Sequence, residues 1–275
     1  MFRQPCGQSS RLRLPHLFSL LGHVIDHPGA FDGLVLSGPL TDAAHGLPAA
    51  AVLAGVWDHS TFRQDMLGRL RRTGQFVAGT SFAPTASADW LIDKVRSIHL
   101  KVTGTAADGR RYAASDPALL TWVHVAEVSC FLAGYLRYLN PQLSGAEQDR
   151  YYAEIALVAE RLGASDVPKS RQAVADYLDA MRPQLVCDER TREICRILLN
   201  APAPSRSAVP ISRLFMQAGI DLLPAWTQQQ LGLQQAAWQR PLIRAGVHSL
   251  APILRWAVRN GASHRSRKRM GLPPR

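Results

Sequence analysis

The sequence predicts an all-α fold, a single-domain bundle of about ten helices, and three observations carry that prediction. Apolar residues recur at three- and four-residue spacing through most of the chain. Ser, Asp, Pro and Gly stand where helix starts and stops need them. No stretch is rich in β-branched residues at period two, and strands and helices do not alternate. Apolar residues make up 47% of the 275, enough to build a core and to exclude wholesale disorder.

The elements follow in order. Segment 11–26 is amphipathic and stops at His27-Pro28-Gly29. The apolar run 46–57 is too short to span a bilayer. Segment 61–76 is strongly basic. Segment 86–102 reads as a helix, with Ser87 or Asp89 available to cap it. The turn-rich piece 104–117 carries an Asp-Gly that can close a small hairpin. Asp116 then caps a helix with Pro117 at its first position. That helix, 118–139, is apolar on nearly every side, which belongs in the middle of a bundle. Segment 144–163 opens with a capping box, Ser144 to Glu147, and ends on Gly163. Segments 168–182 and 188–199 are two helices separated by Pro183. Residues 200–210 form a Pro-rich linker, and helices near 211–221, 224–237 and 241–259 complete the bundle. The domain reading is an N-terminal helical segment at 1–28, one helical domain at 29–260 and a basic tail at 261–275.

Several chemistries are excluded by their missing motifs. There is no G-x-G-x-x-G, no phosphate-cradling G-x-x-x-x-G-K, no G-x-S-x-G and no H-E-x-x-H. The four cysteines (Cys6, Cys130, Cys187, Cys195) show no metal-site spacing and fit free thiols in a reducing, cytoplasmic compartment. The net charge of +11 points to an anionic surface. Much of it lies in the stretch 263–275, read as a solvated tail suited to anionic membrane contact. The remaining arginines lack aromatic interleaving, so no nucleic-acid partner is expected.

His99 and His124 lie on helices that should be buried. A buried neutral imidazole needs partners for its nitrogens. Each is therefore either a core histidine bonded to a carbonyl or hydroxyl, or an axial ligand to haem iron facing an apolar slot. Arg69, Arg71, Arg72 and Arg96 could neutralise haem propionates. Glu127 is unusual inside an apolar helix and reads as an arginine partner or as a base raised by burial. His23 and His27 have a zinc-capable spacing but no third ligand nearby. His59 reads as an exposed residue beside a helix start that Asp58 or Ser60 caps.

Residues 55–77 and 93–138 together resemble the MpaB-type oxygenase family, which includes the bacterial rubber oxygenase. The resemblance rests on Arg69-Leu70-x-x-Thr73, on Val95-Arg96-x-x-His99-x-x-Val102-x-Gly104, and on Asp116-Pro117-x-x-x-x-Trp122-Val123-His124. Residues 167–185 and 222–226 also look like later segments of the family, so the likeness covers roughly 30–260. It implies an all-α fold that holds haem b through one proximal histidine, matching His99 here. His124 would face the same pocket or be the ligand itself. Arg69 and Thr73 match an arginine–threonine pair close to the haem, and Arg72 stands where the rubber oxygenase has a lysine. Glu127 and Asp58 are the candidate bases. Arg69, Arg72 and Arg96 would anchor propionates or polarise oxygen, and Trp122, Val123 and Phe131 would shape an apolar channel. The reaction implied is O2-dependent oxidation or C=C cleavage of a small apolar, isoprenoid-like substrate. The rival is a non-catalytic all-α protein that binds a hydrophobic ligand or an anionic surface.

Overall fold

The most apolar stretch of the chain is also its structural axis. In the computed structural model, which describes residues 65–105, 109, 111–185, 187, 189–203, 205–257 and 261–272, ten α-helices and one two-stranded hairpin are present among the described residues. They are α1 (Met66–Phe82), α2 (Thr85–His99), β1 (Thr103–Thr105), β2 (Arg111–Ala113), α3 (Pro117–Tyr138), α4 (Gly145–Leu162) and α5 (Arg171–Met181). After them come α6 (Glu189–Leu199), α7 (Val209–Leu222), α8 (Ala225–Leu231), α9 (Gln239–Ala257) and α10 (Ala262–Arg269). The all-α single-domain expectation is met. The N-terminal segment, the run 46–57 and the residues His23, His27, Asp58 and His59 lie outside the described residues.

Helix α3 packs against α4, α5, α7 and α9. By length and composition it could cross a membrane, but here it is the core helix, as its all-round apolar character predicts. Val125, Val128, Phe131, Leu132 and Tyr135 of α3 join Val77 and Phe82 of α1, Tyr151 and Tyr152 of α4 and Val174 of α5 in the main core. Another side of α3 places Trp122, 1% exposed, and Ala126 against Met181 and Leu185. A third packs Tyr138 on Ala218, Ile243 and Val247.

The caps fix where this helix begins and how its neighbours run. The Asp116 carboxylate accepts from the backbone N–H of Ala118 at 2.9 Å and Leu119 at 3.0 Å. Pro117 follows at the first turn, where its missing N–H has no partner to lose. Ser144 and Glu147 make the reciprocal capping box of α4. That helix ends on Gly163, whose φ of 113° is the left-handed conformation that glycine adopts without strain. The Thr121 hydroxyl donates to the Ser165 carbonyl at 2.6 Å and so pins the first turns of α3 to the exit of α4.

Three segments differ from the reading of the sequence. Helix α2 starts at Thr85 behind Pro84 without a side-chain cap, which puts Ser87 and Asp89 inside the helix, where Asp89 pairs with Arg161 of α4. The helix expected at 224–237 stops at Leu231, where Gly232 takes a left-handed φ of 67°. The basic stretch expected to be a solvated tail forms α10 and packs on α1. Arg267 is 8% exposed, and Arg269 donates to the carbonyl of Phe82, the last residue of α1. A helix C-terminus leaves carbonyls without intrahelical donors, and a cation there is favoured by the helix dipole. None of the described cysteines, Cys130, Cys187 and Cys195, is in a disulfide.

Asp116→Ala removes both capping bonds of α3 and should cost about 1 kcal/mol of stability. It would be read as a lower urea midpoint at unchanged m-value. An unchanged midpoint would show that Pro117 alone is enough to start the helix.

Candidate functional site

The candidate site is built where α2, α3 and α4 meet, and the hairpin is what brings the first two together. His99 is the last residue of α2. The chain then turns, with Val102 N–H donating to the His99 carbonyl at 3.2 Å, and pairs antiparallel so that Thr103 faces Ala113. Ala114 N–H donates back to the Val102 carbonyl at 2.9 Å. The C-terminal end of α2 is thereby held beside the start of α3. Gly104 is required at this crossing, since a Cβ there would stand 2.5 Å from the Tyr112 hydroxyl.

Two ties bring α4 onto the same place. Arg161 pairs with Asp89 of α2, and the buried Tyr151 hydroxyl donates to the Val128 carbonyl of α3 at 3.3 Å. Helix α4 packs on α2 and on α3, and so links the helix that ends in His99 to the one that carries His124 and Glu127.

His99 is half-buried, and its Nδ1 is buried with no hydrogen-bond partner. Burial holds its pKa below the usual histidine value, so the ring is neutral at physiological pH and keeps a lone pair. His124 lies two turns into α3. Its pKa is pushed down to about 4 by burial, against an opposing pull from the Glu160 carboxylate of α4. Glu127 stands one turn further on, a placement that puts it on the His124 side of the helix. Burial raises its carboxyl from 4.5 to about 7. Its charge is felt by the fully buried Tyr151 phenol, whose pKa is raised by burial first and then by Tyr152, Glu127 and Cys130. Tyr151 and Glu160 are site residues that the sequence did not single out, since both sit in a segment whose spacing reads only as an amphipathic helix.

The arginines divide. Arg69 of α1 is substantially buried, and its pKa is lowered by that burial and then by Arg72 beside it. One turn on, the Thr73 hydroxyl donates to the Arg69 carbonyl at 3.2 Å. Thr73 is partly buried, and helix α1 packs on α2. Arg72 is exposed and pairs at the surface with Asp65 at 3.4 Å. Arg96 is exposed in the last turn of α2. Of the apolar residues expected at a channel, Trp122 and Phe131 sit in packed clusters, whereas Val123, 37% exposed, faces outward from α3.

The donor set fits a haem and does not fit a metal ion held by several side chains. Among the described residues no group of three His, Cys, Asp or Glu converges. Haem iron asks for less: one neutral imidazole in an apolar setting and a cation for the propionates. The unsatisfied buried nitrogen of His99 and the partly buried Arg69 of the adjoining helix α1 are the residue types that requirement names.

The family described as "ER-bound oxygenase mpaB/B'/Rubber oxygenase, catalytic domain" matches residues 29–260. An all-α bundle matched by that family over most of its length is an oxygenase catalytic domain in class. The chain belongs to the mpaB/rubber oxygenase catalytic-domain family. No curated protein and no solved structure matches it significantly.

Glu127 and His124 should tilt the pH dependence of stability in opposite directions. Native Glu127 holds a proton that the unfolded chain has already released, so its contribution falls as pH rises from 4.5 to about 7. Native His124 lacks a proton that the unfolded chain binds, so its contribution falls as pH drops from 6.5 to about 4. Glu127→Gln should therefore gain stability relative to the parent above pH 7, by about 3 kcal/mol at most. Urea titrations at pH 5 and pH 8 check this; an equal change at both pH values would contradict the burial-raised carboxyl.

Proposed function

We propose that this domain is a haem b-dependent oxygenase acting on a small apolar substrate with O2, and that His99 would hold the iron. The observation that carries this reading is the buried, unpartnered Nδ1 of a neutral imidazole at the end of α2, in a chain that belongs to an oxygenase family. A bound haem b would supply an iron able to carry and activate dioxygen.

The chain's own residues have defined tasks in this reading. His99 would hold the iron through one ring nitrogen, and the hairpin fixes the end of α2 that carries it. Arg69 would pair with a propionate, where a charge-assisted bond is strong. Arg72 and Arg96 lie at the surface and contribute general positive charge. His124, neutral down to about pH 4, stays a hydrogen-bonding group rather than a cation. Glu127, with its carboxyl near pH 7, can take or return one proton at its oxygens under physiological conditions. Thr73, whose hydroxyl donates to its own helix, stands one turn from Arg69 and would offer its hydroxyl on the same side. The flanking apolar side chains of α3 exclude water and favour a hydrocarbon substrate, an isoprenoid-like chain among them. The reaction class proposed is oxidation or C=C cleavage, performed in the cytoplasm.

Protein produced with ample haem supply should be coloured and show a Soret band. His99→Ala should lose it, and His124→Ala should retain it in part. A colourless parent protein would overturn the haem reading, and the reverse ranking of the two variants would make His124 the ligand. Once haem is retained, Glu127→Gln should lower O2 consumption with an apolar alkene at least tenfold while leaving the Soret band in place.

A further inference from the structure

A second charged cluster lies at the opposite end of α3, outside the candidate site. Asp221 of α7 is fully buried at its side chain. Three guanidinium groups reach it, Arg137 from α3 and Arg240 and Arg244 from α9. Arg244 takes both carboxylate oxygens, Nε on Oδ2 at 2.8 Å and Nη2 on Oδ1 at 3.0 Å. This fork-on-fork pair uses the best acceptor directions. The other two are left with poor contacts: Arg137 Nη1 stands 3.5 Å from Oδ2 and Arg240 Nε 3.8 Å from Oδ1.

The cluster is thus oversupplied with charge and with donors. Three cations surround one anion, leaving an excess of two positive charges. A guanidinium carries five N–H donors and a carboxylate about four acceptor positions. The one other acceptor that the described residues provide is Gln228 Oε1, 3.4 Å from Arg240 Nη2. Arg240 Nε and the nearby Tyr138 hydroxyl are both buried with no hydrogen-bond partner. The Asp221, Arg137 and Arg244 charges all act on that phenol. The three arginine side chains remain 37%, 40% and 37% exposed around the one buried carboxylate, so solvent and solutes can reach them.

We propose that Arg137, Arg240 and Arg244, fanned around Asp221, form a binding site for a phosphate-type dianion. Its charge balances the excess of two, and its several oxygens accept from the donors that Asp221 cannot serve. Asp221 is the positioning residue: it gathers guanidinium groups from two helices that would otherwise repel. The site lies about 15 Å along α3 from Glu127, judged by the helical rise. Its ligand is thus recognised independently of the candidate oxygenase chemistry. A free phosphate or phosphomonoester and the headgroup of an anionic lipid share this chemistry.

The test uses the full chain. Thermal unfolding is followed against increasing sodium phosphate, with sodium chloride at matched ionic strength as reference. The parent should show a saturable rise in Tm with phosphate beyond chloride. Arg137→Gln and Arg240→Gln should lose that rise, and Arg150→Gln, at an exposed arginine of α4, should keep it. Phosphorus NMR of inorganic phosphate with the parent protein gives a reading that no variant needs to fold for: selective line broadening, reversed by sulfate, is expected. Phosphatidylcholine vesicles containing phosphatidic acid settle the source. Arg137-dependent cosedimentation identifies a lipid headgroup, and phosphate binding without cosedimentation identifies a soluble ligand. A phosphate response equal to that of chloride, absent broadening, or a response undiminished in both glutamine variants would overturn the proposal.

Discussion

One helix that is apolar on almost every side imposes the architecture. Helix α3 has no face that water can wet cheaply, so it is stable only when wrapped, and α4, α5, α7 and α9 supply the wrapping. The order of elements follows from this need. A tight hairpin leads into α3, and short capped connections lead away, so that neighbours in sequence become neighbours around the axis. Three separate clusters of side chains meet on it, which is why one change in its start would be felt across the fold.

The same burial gives the polar residues of α3 their unusual properties. Thr121, His124, Glu127 and Arg137 would be unremarked on a surface helix. Here each is forced either to find a partner or to change its protonation. Thr121 finds a partner at the Ser165 carbonyl, and Arg137, in the last turn, keeps part of its side chain in solvent while reaching Asp221. His124 and Glu127 shift instead, the imidazole toward neutrality and the carboxyl toward holding its proton. One helix therefore displays two solutions to the same desolvation cost, and the shifted pair is the one with chemistry to offer.

Local signals were legible in the sequence and long-range ones were not. Asp116-Pro117, Ser144 with Glu147, and Gly163 announce helix ends because a cap is written within four residues of the group it serves. The short hairpin and the buried character of 118–139 are legible for similar reasons. The histidines and Glu127 could be picked out as polar residues in apolar company. Their neighbours could not: Tyr151 reads as one more apolar position, and its hydroxyl meets a carbonyl 23 residues earlier. Arg137 and Asp221 are 84 residues apart, and no spacing rule links them. Helix α10 misled for a related reason. A run of arginines looks like a solvated tail until a helix end 187 residues upstream is brought to meet it.

The length and greasiness of α3 also matter before the fold exists. A segment that satisfies the criteria for crossing a bilayer leaves the ribosome ahead of the helices that will cover it. During that interval its apolar surface stands uncovered. His124, Glu127 and Arg137, spaced along it, make transfer into lipid costly. The polar residues that this helix carries at a cost in the folded core thus also raise the cost of placing it in hydrocarbon.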